Sequence, residues 1–299
     1  MSGEQGRGNL YVVATPIGNL EDLSPRAARI LKAVDAIAAE DTRAAGVLLH
    51  HVGITESHLI SFHEHNEKAR VPELIDILLG GNDVALISEA GTPGISDPGF
   101  RLVRQARKRG LTILAVPGPS AALAALSVSG LPVERFAFLG FPPRGDAAAD
   151  WLGEYLSLDL TLVLYEGRSR IIRLLKLLRE VADDRLIAVS RELTKMYEDT
   201  QVGLAQELLG WFDGNPESLR GEFTVLIAPA GYRLEGEASD ESAVLAEGDV
   251  PDRDDLLMSQ IQLLVDGGYR PSEAVATVAR GHRLTKSDLY RTFEAWREK

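Results

Sequence analysis

Residues 84–98 read VALISEAGTPGISDP. Val84–Ser88 is short, apolar and rich in branched side chains, the composition of a strand buried on both faces. It runs directly into a turn bearing glycines and prolines. Asp97-Pro98 then places a capping carboxylate ahead of a proline at the first helical position. Gly110 follows the basic end of that helix, as a C-terminal stop does.

The same order recurs on both sides of this stretch. Leu10–Ala14, Ala36–Ala39, Leu59–Phe62 and Thr112–Val116 read as further buried strands, and Ser24-Pro25 supplies another capped helix start. Strict alternation of strand and helix predicts a parallel sheet covered by helices. It resumes after Pro142-Pro143, with strands Leu160–Tyr165, Leu186–Ser190 and Phe223–Ala228 and helices near Ile171–Val181 and Ala205–Phe212. The fold class is therefore α/β: two domains with parallel or mixed sheets, then a small helical, helix-turn-helix-like C-terminal module. The expected boundaries are 8–118, 119–232, an acidic linker 233–254, and 255–299. No internal repeat is visible.

Composition narrows the function. Of 299 residues, 45% are apolar and 25% charged, so a folded core is expected rather than disorder. Cysteine is absent, which excludes disulfides, thiolate metal sites and cysteine nucleophiles. MSGEQGRGN at the N-terminus is polar, and no apolar run of membrane-spanning length follows; a soluble, cytoplasmic protein is expected. The net charge of −12 argues at first against a polyanionic partner. Its distribution weakens that objection. Arg233–Asp255 holds nine acidic against two basic residues, whereas Arg270–Lys299 holds seven basic against four acidic.

The chemistry gathers where the strands end. ATPIGNL, AEDTR, SFHEHNE, SEAGTPGISDPG and VPGPSA each follow a strand of the first domain. In a parallel sheet these turns share the carboxyl edge, where open α/β sheets bind ligands. Tight-turn chemistry alone explains any one of them, but five around one crevice point to a ligand. Gly18, Gly91, Gly94 and Gly118 let backbone approach it closely. There is no GxxxxGK[ST] phosphate loop and no GxGxxG after the first strand. Adenine, ribose and a methionine tail suit such a lining better than a triphosphate.

For catalysis, His63 or His65 is a candidate base or substrate-ordering group, with Asn66 beside them. In the plainer reading one histidine caps the next helix and the other is solvated. Histidines in this loop without a third ligand do not make a metal site, and none is expected. Glu40, Asp41 and Arg43 form a second group, in which Arg43 can grip a phosphate bidentately or simply pair with Asp41. Arg191, Glu192 and Lys195 leave a strand end of the second domain and are placed to face the same cleft. In the C-terminal module, Thr285 and Asp288 are spaced as a capping box. Val275, Val278, Leu284, Leu289, Phe293 and Trp296 would form a small core, with Arg280, Arg283, Lys286 and Arg291 placed for phosphates.

These motifs, with RELTK and the late GEFTVLI, resemble the tetrapyrrole methylase family, and more narrowly its ribosomal-RNA branch of cytidine 2′-O-methyltransferases. The resemblance runs from about Leu10 to Trp296. It implies S-adenosylmethionine in a cleft between two α/β domains, a homodimer, and small-subunit rRNA or the small ribosomal subunit as partner. Matched cofactor positions are Pro16, Glu89, Gly91, Thr92, Gly94, Ile95, Ser96, Ser120, Ala121, Leu193 and Thr224. It also favours RNA docking for the C-terminal module, with Arg283, Lys286 and Arg291 as contacts. Two positions depart from the family pattern: Glu89 stands where Asp is usual, and Tyr165-Glu166-Gly167-Arg168-Ser169 where Tyr-Glu-Ser-Pro-His is usual. The rival readings are a small-molecule tetrapyrrole methyltransferase and a ligand-sensing helix-turn-helix regulator.

Overall fold

The computed structural model describes residues 6–145, 147–233, 257–258, 261–262, 264–265, 269–282 and 285–297. The chain divides into two compact units, one ending at Arg233 and one beginning at Leu234.

The first unit holds two five-stranded sheets. In the first, β1 (Asn9–Val13), β2 (Ala36–Ala39), β3 (Leu59–Ser61), β4 (Val84–Ile87) and β5 (Thr112–Val116) lie in the order β3-β2-β4-β1-β5. Every pairing is parallel, as alternation predicts. The crossovers are α1 (Pro25–Ala33), α2 (Thr42–His51), α3 (Glu67–Leu79) and α4 (Phe100–Lys108). Successive side chains on the central strands serve opposite faces. Ala36, Ala38, Val84 and Leu86 pack with Leu74, Leu78 and Leu102 of α3 and α4. Ile37, Ala39, Ala85 and Ile87 pack with Leu31, Leu48 and Leu49 of α1 and α2. Both faces are covered, so these strands read as unbroken apolar runs.

α5 (Ala121–Val128) follows β5 in sequence but packs on the second sheet, its Ala122, Ala125 and Leu126 meeting Val163, Ala188 and Leu226. That sheet comprises β6 (Phe136–Gly140), β7 (Thr161–Gly167), β8 (Leu186–Arg191), β9 (Asp199–Leu204) and β10 (Glu222–Ile227), in the order β6-β7-β10-β8-β9. Only β6 and β7 are parallel; β10 runs against both neighbours, and β9 against β8. α6 (Ala147–Leu156), α7 (Ile171–Val181) and α8 (Ala205–Gly214) cover its far face. β6 and β9 are the strands that the sequence reading omits, and both are edges.

One helix start differs from expectation. Ser24 caps α1 as expected, accepting from the Ala27 N–H at 3.1 Å with Pro25 in the first turn. Asp97-Pro98, however, does not open α4, which begins at Phe100 after Gly99. Glu67 supplies the cap instead: its Oε1 accepts from the Gly99 and Arg101 N–H groups at 3.1 and 3.2 Å. Asp97 is thereby released from capping. Gly110 does stand past the end of α4, at φ 65°.

The second unit contains α9 (Pro271–His282) and α10 (Lys286–Arg297). Helix continues through Gly281 and His282, where a turn was expected. Val275, Val278, Leu289 and Phe293 form the core with Leu257, Met258 and Ile261, and Trp296 stacks on Phe293 at 6.2 Å. Residues 234–254 of the acidic linker, and Asp255, Leu256, Arg283 and Leu284 of the C-terminal module, lie outside the described residues, as do the side chains of Arg280 and Asp288. No helix among the described residues is long and apolar enough to cross a membrane.

Candidate active site

The carboxyl-edge turns of the first sheet form one wall of a cleft of about 790 Å³, a volume typical of small-molecule and cofactor sites. Turns after β1 and β4 are zipped together: Thr15 N–H donates to Gly91 O at 2.9 Å, and Gly91 N–H to Thr15 O at 3.1 Å. Gly91 sits at φ 79°, a left-handed conformation natural to glycine. Ser96 adopts φ 64° without being glycine, and its Oγ lies 3.3 Å from where a Cβ on Gly140 of β6 would stand. This places Asp97 in the cleft.

The second sheet supplies the opposite wall. On β7, Leu162 and Leu164 point into the far core, while Val163 and Tyr165 take the other face. The antiparallel register sets Thr224 opposite Tyr165 on one side and Ser190 on the other. Tyr165 and Thr224 therefore reach the cleft together. Tyr165 Oη accepts from the Ala122 N–H at 3.2 Å, and its ring meets Phe138 and Phe141 edge-on. Glu166 is buried, accepting from its neighbour Gly167 N–H at 2.8 Å and pairing with Arg170 Nε at 2.5 Å.

Three carboxylates, Glu40, Glu89 and Asp97, line the first wall. Burial, reinforced by the charge of Glu40, pushes the Asp97 carboxyl up to about 6. Burial also raises Glu40; the Glu89 N–H, 3.4 Å from its Oε2, and the His63 ring pull the other way. Burial raises the Tyr165 hydroxyl as well, which faces Asp97 and Ser120.

Of the residues expected at the cofactor, Pro16, Glu89, Gly91, Thr92, Ile95, Ser96, Ser120, Ala121, Leu193 and Thr224 line the cleft; Gly94 does not. Of those expected at the acceptor, Glu40 and Lys195 line it, whereas Asp41, Arg43, His63, His65, Asn66 and Arg191 do not. Asp41 caps α2, accepting from the Arg43 and Ala44 N–H groups at 2.7 and 3.2 Å. These bonds hold its carboxyl below the ordinary value. Asn66 is engaged within its own turn: Oδ1 accepts from the His63 N–H at 2.8 Å, and Nδ2 donates to Ser61 O at 3.0 Å. Its Nδ2 also faces His63 Nε2 at 3.1 Å, which leaves His63 Nδ1 buried without a hydrogen-bond partner. His65 is exposed, its ring 6.0 Å from that of His63. Arg191 pairs with Asp199 at 3.7 Å. Lys286 and Arg291 lie exposed on α10 in the second unit.

Sequence reading missed Asp97 because it looked like a cap, and Tyr165 because only strand pairing reveals its neighbours. The Gly-Thr-Pro and Pro-Gly-Pro-Ser turns were the legible signal. A model of the Tetrapyrrole (Corrin/Porphyrin) Methylases matches residues 9–209. The chain belongs to the tetrapyrrole methylase family.

Within the tetrapyrrole methylases it groups with proteins named Ribosomal RNA small subunit methyltransferase I. It is 38% identical to the one from Halalkalibacterium halodurans over 288 residues, 96% of this chain and 95% of the relative. It is 46% identical to that from Pseudomonas aeruginosa over 235 residues, 78% of this chain and 82% of the relative. Among solved structures it is similar to uroporphyrin-III-C-methyltransferase from Thermus thermophilus, with TM-score 0.52 and 23% identity over 74% of this chain and 94% of that one. That last likeness speaks for the tetrapyrrole methylase fold alone.

Proposed function

We propose that the chain is an S-adenosylmethionine-dependent methyltransferase that modifies the ribose 2′-hydroxyl of a cytidine in small-subunit (16S) rRNA. One coincidence carries the reading. The turns that line the cleft are the motifs of the ribosomal-RNA branch, and relatives bearing that name match almost the whole chain.

The residues present fit the methyl donor. Its sulfonium and ammonium groups are cationic, and Glu40, Glu89 and Asp97 give the wall matching charge. Bare backbone at Gly91, apolar surface at Pro16, Ala121 and Leu193, and hydroxyls at Ser120 and Thr224 suit its adenosine and methionine parts. Thr92, Ile95 and Ser96 complete the set that would hold it. When bound, it supplies an electrophilic methyl group on sulfur.

This chain's own side chains do the rest. Lining up the acceptor oxygen behind the methyl is worth much of the acceleration. Asp97, its carboxyl pushed up to about 6 by burial, takes the hydroxyl proton on its carboxylate, with the charge of Glu40 acting on it. His65 and Arg43 serve the acceptor strand from outside the cleft and Lys195 from within it, while Asn66 holds the His63 turn in shape. Lys286 and Arg291, with Arg283, contribute phosphate contacts from the C-terminal unit. The enzyme works in the cytoplasm, as a homodimer.

Incubating the purified chain with methyl-labelled S-adenosylmethionine and small ribosomal subunits tests the reading. Label should enter the RNA and render one phosphodiester resistant to alkali, because the 2′-oxygen can no longer attack. Label found only in added tetrapyrrole would overturn it.

A further inference from the structure

The turn leaving β8 has an uncommon backbone. Glu192 and Thr194 adopt φ 49° and 67°, the left-handed region that non-glycine residues avoid. Such strain persists only where the surroundings over-determine it, and it concentrates where geometry matters to function.

Here the turn is held from several directions. Glu192 N–H donates to Glu222 O at 3.3 Å, Lys195 N–H to Glu192 O at 2.9 Å, and Glu198 N–H to Lys195 O at 3.1 Å. Thr194 N–H donates to Glu198 Oε2 at 2.7 Å, and Lys195 Nζ pairs with Glu192 Oε1 at 3.0 Å. The Glu192 carboxylate occupies the space that Gly221 leaves by lacking a Cβ. The inner end of the turn, through Leu193 and Lys195, lines the cleft. Its outer end does the opposite. Met196 and Tyr197 are 89% and 69% exposed, although they adjoin one of the most constrained segments of the chain.

We propose that Met196 and Tyr197 form a stacking platform for an unpaired RNA base at the rim of the cleft. The inference rests on the reading of the chain as an rRNA methyltransferase. Single-stranded RNA is recognised by stacking splayed bases on aromatic side chains, a contact open to every base. A backbone already held by these bonds lowers the entropic cost of ordering the loop on binding. Lys195 adjoins Met196 in the chain; its ammonium, paired with Glu192 at 3.0 Å, is the cation nearest in sequence to the phosphate of a base stacked on Tyr197. A base held here fixes the strand one step from the ribose that enters the cleft.

Full-length Tyr197→Ala, Tyr197→Leu and Tyr197→Trp separate this from a structural role. Binding to a fluorescein-labelled single-stranded oligoribonucleotide should weaken roughly tenfold in the alanine and leucine variants and recover in the tryptophan variant. KM for the small subunit should follow the same order with kcat little changed, while calorimetric affinity for S-adenosylmethionine stays at the wild-type value. Equal RNA binding by wild type and Tyr197→Ala overturns the platform, whether or not the wild type methylates RNA. A change in sedimentation with Tyr197→Ala also overturns it, because the surface would then belong to a second copy of the chain. If RNA binding depends on Tyr197 as described but no methyl group reaches small-subunit RNA, the platform stands and the functional reading fails.

Discussion

A Cβ built on Gly18 would lie 2.5 Å from Cγ of Lys195 and 2.9 Å from its Cε. The turn after β1 and the turn after β8 thus meet face to face, and the lysine stem lies where any side chain at position 18 would go. Gly18→Ala should push Lys195 off the cleft and lower methyl transfer at least about fivefold, since small misplacements at such sites are costly. In a Lys195→Ala background the same substitution should cost less, leaving only the 2.9 Å approach to Thr194 Oγ1. Additive losses in the double variant would show that the two residues act separately.

Glu67 reaches from the start of α3 to the start of α4, more than thirty residues along the chain. Its carboxylate caps two N–H groups and pairs with Arg101 at 3.4 Å. Glu67→Ala should cost about 1–2 kcal/mol in urea denaturation, the range of a lost helix cap. Glu67→Gln, which can still accept hydrogen bonds, should recover part of that loss.

Long-range capping of this kind explains where the sequence misled. Asp97-Pro98 has the local form of a helix start, but Glu67 satisfies the helix from another element, and no local pattern carries that information. The central strands β1, β2, β4, β7, β8 and β10 were legible because burial on both faces makes them continuously apolar. β9 reads DTQVGL, an edge strand in which the apolar signal fades, whereas β6, at the opposite edge, reads FAFLG and its omission has no such reason. The turns that line the cleft were legible from glycine and proline spacing. In the wall opposite, Leu193, Lys195 and Thr224 were named from their motifs, but Tyr165 was not, because it becomes the neighbour of Thr224 only through the register of β7 against β10. Asn66 looked chemical and proved to be engaged in its own turn.

Asp97 predicts a pH signature. Its folded value of about 6 lies above the 3.8 of a free aspartate. The neutral form is therefore favoured by folding, so the stability it contributes is full below about pH 4 and is lost as pH rises through 6. Asp97→Asn should be more stable than wild type at pH 8, by about 1 kcal/mol once solvent screening at a half-buried site is allowed for. At pH 3.5 the two should unfold alike. A variant less stable than wild type at pH 8 would show that the charged form is held by a partner.

Gly91 combines a left-handed backbone with a place in the cleft wall. Gly91→Val should abolish calorimetric binding of S-adenosylmethionine while lowering stability by only about 1–3 kcal/mol, the cost of one residue held in that region. Retained affinity would show that the cofactor does not lie against this turn.

Mass-spectrometric mapping of ribose methylation in small-subunit rRNA, from a strain lacking this chain and the same strain with it restored, tests the central claim most directly. One cytidine 2′-O-methyl group should disappear in the deletion and return with the wild type. It should not return with Gly91→Val. Ribose methylation identical in the two strains would contradict it.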